Sequence, residues 1–315
     1  MRRRRTIGFL VLAALGGVVV GCSSEPADQA DSAAVRVAST LRDDTITVGS
    51  FDFAESELVA EIYSQALEGD GYHVRRAFGL GPREFVLPAL AGGLVEVVPE
   101  YAGSALQFSS LASDIGTADV AATNDQLAEL LAERGITVLA PSPAQDANTF
   151  VVTRETAERE HLQSLSDLAA VAPGMTFAGP PECASRPFCL LGLERVYRLS
   201  FREVLALDAG GPLTHQAITS RGADVALLFT TDPALIGGNL VELADDRDLQ
   251  PAENLTPLVR SAVVDHFGTE LVARLDTISP RLTTDGLRAL NAQVAAGDQD
   301  VAAVASAWLA AEGLS

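Results

Sequence analysis

Hydrophobic and polar residues begin to alternate in recognisable elements at Ile46. The β-branched run Ile46-Thr47-Val48-Gly49-Ser50 predicts a strand. From Ala54 to Leu67 the apolar residues Leu58, Val59, Ile62, Ala66 and Leu67 recur at helical spacing. Asp52, followed at the capping-box interval by Glu55, predicts the start of that helix, and Gly69 and Gly71 predict its end. A strand is expected near His73–Phe78. Pro82 opens a helix through Leu90 that Gly92 and Gly93 close, and Leu94–Val98 is the next strand. This βαβαβ order is the mark of a parallel α/β layer.

The alternation restarts further on. Strands are expected at Thr149–Val152, Met175–Ala178, Val204–Leu207, Val225–Phe229 and Leu240–Leu243. Helices fall near Leu168, Leu190–Tyr197 and Leu213–Ser220, and after Pro257 the chain turns helical over 261–275, 284–296 and 299–311. Two α/β layers with a helical C-terminal end predict two lobes rather than one continuous sheet. A ligand is then expected between them, at the carboxyl ends of strands.

The first residues follow another pattern. Arg2 to Arg5 form a basic n-region and Ile7 to Gly21 an apolar stretch, shorter than the roughly 20 residues of a spanning helix. It has the length of a signal-peptide core. Val19-Val20-Gly21-Cys22 resembles a bacterial lipobox, which implies cleavage before Cys22, lipidation of that cysteine, and a protein held on the extracytoplasmic face of the cell membrane. An uncleaved anchor with an incidental cysteine is the alternative. Residues 23–44 are small and polar and read as a flexible tether.

Composition narrows the chemistry. Acids outnumber bases by 42 to 22 in 315 residues, a formal charge of −20 that opposes nucleic acid. Without residues 1–21, 42 acids stand against 18 arginines, or −24. No lysine occurs, which excludes a P-loop and a Schiff-base enzyme. The histidines His73, His161, His215 and His266 are scattered, so no metal site is expected, and no cofactor. With Cys22 lipidated, Cys183 and Cys189 remain as an even pair in an oxidising compartment, and a disulfide between them is expected; two free thiols are the alternative.

VGSFDFAESE (48–57), LPALAGGLVEVVPEYAGSAL (87–106), GGPLTHQAITSRGADVALLFTTDPAL (210–235) and VELADDRDLQPAEN (241–254) together resemble one family. It comprises the substrate-binding proteins of ABC importers for glycine betaine, choline and related osmoprotectants. The ordered EY-x-G, SRP and TTD segments carry most of the likeness, which runs from about Ile46 to the C-terminus. The resemblance implies an α/β, two-lobed periplasmic-binding-protein fold (type II, the Venus flytrap) with two crossing segments. On this chain lobe 1 would be 45–148 plus 256–315 and lobe 2 would be 149–255. It also implies a monomer that captures a small zwitterionic or cationic solute and hands it to ABC permease subunits.

A quaternary ammonium group has no hydrogen to donate and is held by aromatic faces, each worth roughly 0.5–2 kcal/mol. A carboxylate at the other end of a ligand calls for a fixed arginine. The resemblance assigns Tyr101 to the aromatic cage and Arg186, with the hydroxyl of Ser104, to the carboxylate. Phe229 keeps a ring where the family often has tyrosine, Thr230 follows it, and Phe51 adds an apolar wall. Asn148 stands where parts of the family place a further cage tyrosine, and Glu253 where another aromatic would be, so Glu253 or Asp146 is expected to meet the cation with a carboxylate.

Two other functions stay open. The same receptor fold could take an aromatic, phenolic or other amine ligand. A secreted thiol enzyme built on Cys183 and His215 is more distant, because no G-x-S-x-G or H-E-x-x-H signature is present.

Overall fold

Five strands from the two ends of the chain make one sheet and five strands from its middle make another. The computed structural model describes residues 44–110 and 117–315. The expected signal segment, the lipidation site Cys22 and the tether to residue 43 lie outside the described residues.

The first sheet contains β1 (Thr45–Gly49), β2 (His73–Ala77), β3 (Val97–Tyr101), β4 (Ile136–Val138) and β10 (Leu255–Arg260), in the order β2-β1-β3-β10-β4. The second contains β5 (Asn148–Thr153), β6 (Thr176–Gly179), β7 (Glu203–Ala206), β8 (Val225–Phe229) and β9 (Leu240–Glu242), in the order β7-β6-β8-β5-β9. The two follow one plan. Three parallel strands (β2, β1, β3 or β7, β6, β8) are joined by one antiparallel strand that arrives from the other half, β10 in the first sheet and β5 in the second.

Helices cover the sheets as the apolar spacing requires. Helix α1 (Ala54–Gly69) buries Leu58, Val59, Ile62, Tyr63, Ala66 and Leu67 between the first sheet and the C-terminal helices. Full burial of one such leucine stabilises by about 1.5–3 kcal/mol. Beyond it come α2 (Arg83–Ala91), α3 (Ala102–Ser110), α4 (Val120–Ala132), α5 (Arg154–Glu160), α6 (Leu165–Leu168), α7 (Pro212–Thr219), α8 (Ser261–Phe267), α9 (Thr269–Ile278), α10 (Thr284–Ala296) and α11 (Val301–Ala311). Among the described residues the buried apolar side chains form one cluster around the first sheet and two around the second, and none of these is shared between the halves. Each half thus has its own core, and the space between them is left for a cleft.

Where the chain crosses, the outgoing and returning segments pair. Gln145 and Asn254 form an antiparallel bridge, Asp146 N–H donates to Glu253 O at 3.1 Å, and Leu255 N–H donates to Ala144 O at 2.9 Å. Asp146 and Glu253 are therefore set side by side on adjacent backbones.

Several local expectations are corrected. Asp52 does not cap α1: the N-cap is Phe53 without a side-chain bond, and Phe51 N–H donates instead to the Ser56 hydroxyl. The strand expected at Leu94–Val98 begins at Val97 and includes Tyr101, because 92–95 turn back onto the end of α2 through bonds to Pro88, Ala89 and Leu90 carbonyls. The helix expected over 261–275 is broken at Gly268, whose φ of 76° leaves the helical region. The structure adds helices at 102–110, 120–132 and 154–160 and a strand at 136–138 to the expected elements.

Candidate functional site

The carboxyl ends of four strands converge on one cavity of about 1310 Å³. Phe51 follows β1, Tyr101 ends β3, Phe229 ends β8, and the loop after β6 carries Arg186; all four line it, with Ser104 and Asp146. This is where open α/β layers place ligands.

The first lobe supplies an aromatic wall. The rings of Phe51 and Phe53 stack at 5.7 Å with an interplanar angle of 9°, and Tyr101 lies 6.5 Å from the first and 6.0 Å from the second. Phe51 and Tyr101 are buried, whereas Phe53 is 42% exposed. One face of Phe51 is already covered, since the Arg83 guanidinium lies 5.3 Å from its centroid. Across the cleft Phe229 packs on Gly210, where a β-carbon would come within 2.9 Å of the ring.

Carboxylates lie directly behind this wall. The Tyr101 hydroxyl donates to Glu55 Oε1 at 2.8 Å, and Asn291 Nδ2 of α10 donates to Glu55 Oε2 at 2.5 Å. Asp146 accepts from the Thr231 hydroxyl at 2.7 Å. Burial, and then the neighbouring carboxylate of Glu55, push Asp146 well above the ordinary range. Burial and Glu55 likewise raise the Tyr101 phenol, so it stays a neutral donor.

Two arginines face the cavity. Arg83, in the first turn of α2, is gripped by the wholly buried Glu100 through Nε at 2.6 Å and Nη2 at 3.0 Å. Arg186 is exposed at the cavity, in a loop that Cys183 and Cys189 close as a disulfide with Cα atoms 5.2 Å apart. Both sulfur-bearing residues are buried.

Three expected site residues are placed elsewhere. The Asn148 amide donates to Phe188 O at 3.3 Å, away from the cavity, because β5 turns that side chain towards the 180–189 loop. The Thr230 hydroxyl donates to Gln145 O at 2.8 Å and accepts from Ala147 N–H at 3.1 Å, which ties β8 to the crossing segment. Glu253 lies beneath the cavity and accepts from Ser104 N–H at 3.0 Å and the Ser104 hydroxyl at 2.7 Å. Burial raises its carboxyl to about 7 against the pull of these bonds. Ser104 lines the cavity with its hydroxyl already paired to Glu253. The glycine of the EY-x-G segment, Gly103, allows this approach: a β-carbon there would lie 2.9 Å from Ala252 O and 3.1 Å from Glu253 Cδ.

Phe53, which stands with Phe51 just after β1, lines the cavity, and so do Glu55, Arg83 and Asn291, which the sequence does not mark as ligand contacts. Glu55 was absorbed by its resemblance to a capping partner, and Asn291 lies on a distant helix that carries no local signal of a site.

Three comparisons bear on this geometry. A family model described as the substrate-binding domain of ABC-type glycine betaine transport systems matches residues 44–311. The chain is 31% identical over 277 residues to a glycine-betaine-binding protein of Pseudomonas aeruginosa, covering 84% of this chain and 87% of that one. It superposes on the apo structure of YehZ from Escherichia coli with a TM-score of 0.73 and 26% identity, covering 87% of this chain and all of the other. A glycine betaine/carnitine/choline ABC transporter structure, at 19% identity and covering 85% of this chain and 99% of its own, shares the fold with a TM-score of 0.77.

Proposed function

The chain belongs to the substrate-binding domains of ABC-type glycine betaine transport systems, a family of extracytoplasmic solute receptors rather than enzymes, and from that premise we propose that it captures a quaternary-ammonium osmoprotectant between its lobes and delivers it to a membrane permease. One observation carries the choice of ligand. The Phe51–Phe53–Tyr101 wall, with Glu55 and Asp146 beside it, shares a single cavity with Arg186 and Phe229 of the other lobe. Rings and carboxylates suit a fixed cation, and Arg186 suits a carboxylate some distance away. Glycine betaine and choline share the first group and differ in the second.

Lobe 1 is read as 45–148 with 256–315 and lobe 2 as 149–255, supported by the separate cores and the paired crossings at 145–146 and 253–254. Lipidation at Cys22 is supported by the Val-Val-Gly-Cys ending of the apolar stretch and would hold a monomeric receptor at the membrane surface.

A thermal-shift panel of glycine betaine, choline, carnitine and proline betaine tests the reading. A true ligand at 100 times its Kd should stabilise the protein by about 2.7 kcal/mol. No shift with any quaternary amine would remove it. Arg186→Ala should weaken glycine betaine by about 1.5–3 kcal/mol, roughly 10- to 100-fold, and leave choline nearly unchanged. Equal losses would reject the assignment of Arg186.

A further inference from the structure

The guanidinium of Arg83 has one edge occupied and one nitrogen left over. Nε and Nη2 donate to the two carboxylate oxygens of Glu100 at 2.6 and 3.0 Å. In a planar guanidinium the bond to Nη1 points directly away from that edge, so both N–H groups of Nη1 are turned from the buried acid. Among the described residues Nη1 has no hydrogen-bond partner. Glu100 has no exposed surface, whereas 22% of the Arg83 side chain stays exposed, and Arg83 lines the cavity.

The surroundings of Arg83 decide what Nη1 can meet. The guanidinium lies 5.3 Å from the Phe51 centroid, and Phe51 stacks on Phe53 at 5.7 Å. A ring that already carries a cation is a poor seat for a second, so the ligand's cation falls to Phe53 and Tyr101, whose rings are 6.0 Å apart. Arg83 stands beside that seat, not across the cleft from it. In glycine betaine a single methylene separates the ammonium from the carboxylate, so the anionic end has to be met close to the rings. Phe51 follows β1, Tyr101 ends β3, and the α2 helix that carries Arg83 packs on the same sheet and core.

We propose that Arg83 Nη1 binds the carboxylate of the ligand, so that the first lobe grips both ends of a zwitterionic betaine and Arg186 closes on the same carboxylate from the second lobe. The substrate class is then the carboxylate-bearing betaines, and choline, whose far end is a hydroxyl, is the weaker ligand. Glu100 takes part without touching the ligand. By holding Nε and Nη2 it fixes the guanidinium plane before the ligand arrives, which removes the entropy cost of ordering a long side chain on binding. It also offsets the charge of Arg83, so that the ligand's cation is not driven from the neighbouring rings. The inference rests on the proposed function and narrows its ligand to one chemical class.

The test is isothermal titration with three ligands that share one cation: glycine betaine, its methyl ester, and choline. The ester keeps the shape and removes the anion. Wild type should bind glycine betaine about 100-fold or more tighter than the ester or choline, since two charge-assisted contacts are lost. Arg83→Met with Glu100→Gln keeps an aliphatic stem against Phe51 and leaves no buried charge unpaired, and Arg83→Lys keeps a cation for Glu100 but has no further nitrogen to offer. Both should bind glycine betaine roughly 10- to 100-fold more weakly and hold the ester and choline within about threefold of wild type. Wild type that binds the ester or choline as tightly as glycine betaine overturns the inference, and this comparison decides even where a variant does not fold. Variants that lose all three ligands alike, or none, also overturn it, because a residue that only supports the wall would behave so. Absence of binding of any quaternary solute to wild type overturns the proposed function and this inference with it.

Discussion

Arg83 ties the cleft wall to the interior of the first lobe. Its guanidinium lies against Phe51, and its Nε and Nη2 neutralise Glu100, which has no exposed surface. Removing one partner of a buried pair strands the other charge at a cost of about 3–5 kcal/mol. Arg83→Ala should lower the urea midpoint by a corresponding amount, and Arg83→Ala with Glu100→Gln should recover most of it. Equal stability of the single and double variants would mean that solvent already screens Glu100. At this scale Phe229 could be found at the end of a predicted strand, whereas Tyr101 and Arg186 were marked through the family resemblance of the segments that carry them. Glu55 could not, because its orientation is set by Tyr101 and by Asn291, which is 236 residues away. Ser104 and Glu253 were each named, but only the fold shows that they bind one another.

The loop between β6 and the helical turn at Leu190–Gly192 is the element that presents Arg186. A five-residue 3-10 turn, Pro181–Ser185, starts it, and backbone bonds from Arg186 N–H to Cys183 O and from Cys189 N–H to Arg186 O shape it. Its far side is seated on Gly192, where a β-carbon would lie 1.9 Å from Pro187 O. The Cys183–Cys189 bond closes this short ring, and in the chain-entropy picture a loop of this length contributes about 2 kcal/mol. Cys183→Ser with Cys189→Ser should lose about that much in a denaturant titration. The same variant should bind glycine betaine more weakly while choline affinity changes little, because only the carboxylate end depends on Arg186. A uniform loss for both ligands would place the effect in the lobe as a whole. The two cysteines were legible as an even pair. The 3-10 turn was not, since Pro-Pro-Glu-Cys-Ala-Ser has no apolar period to announce it.

The whole molecule is two similarly built halves joined by paired crossings and bridged by α10. That helix belongs to the C-terminal end, yet Arg288 Nε donates to Thr230 O at 3.0 Å, Arg288 Nη2 reaches Glu242 at 2.8 Å, and Asn291 Nδ2 donates to Thr231 O at 3.2 Å. Arg288 touches no lining residue class specific to one ligand. Arg288→Ala should therefore weaken glycine betaine and choline by the same factor, about tenfold, in parallel titrations. Selective loss of one ligand would show that Arg288 acts on chemistry rather than on the seating of the lobes. The roles of Tyr101 and Arg186 come through the family resemblance, whereas the α/β order of the layers and the acidic charge are written in the chain's own pattern. The last two are local or compositional properties, set by apolar period, turn residues and side-chain type. The fold is what sets which acids line the cavity and which are paired with arginine, turns Asn148 and Thr230 away from it, and brings Asn291 of the C-terminal end to its wall. Those outcomes depend on contacts between residues far apart in the chain, and the free energy of a buried charge is set by whatever the fold brings beside it.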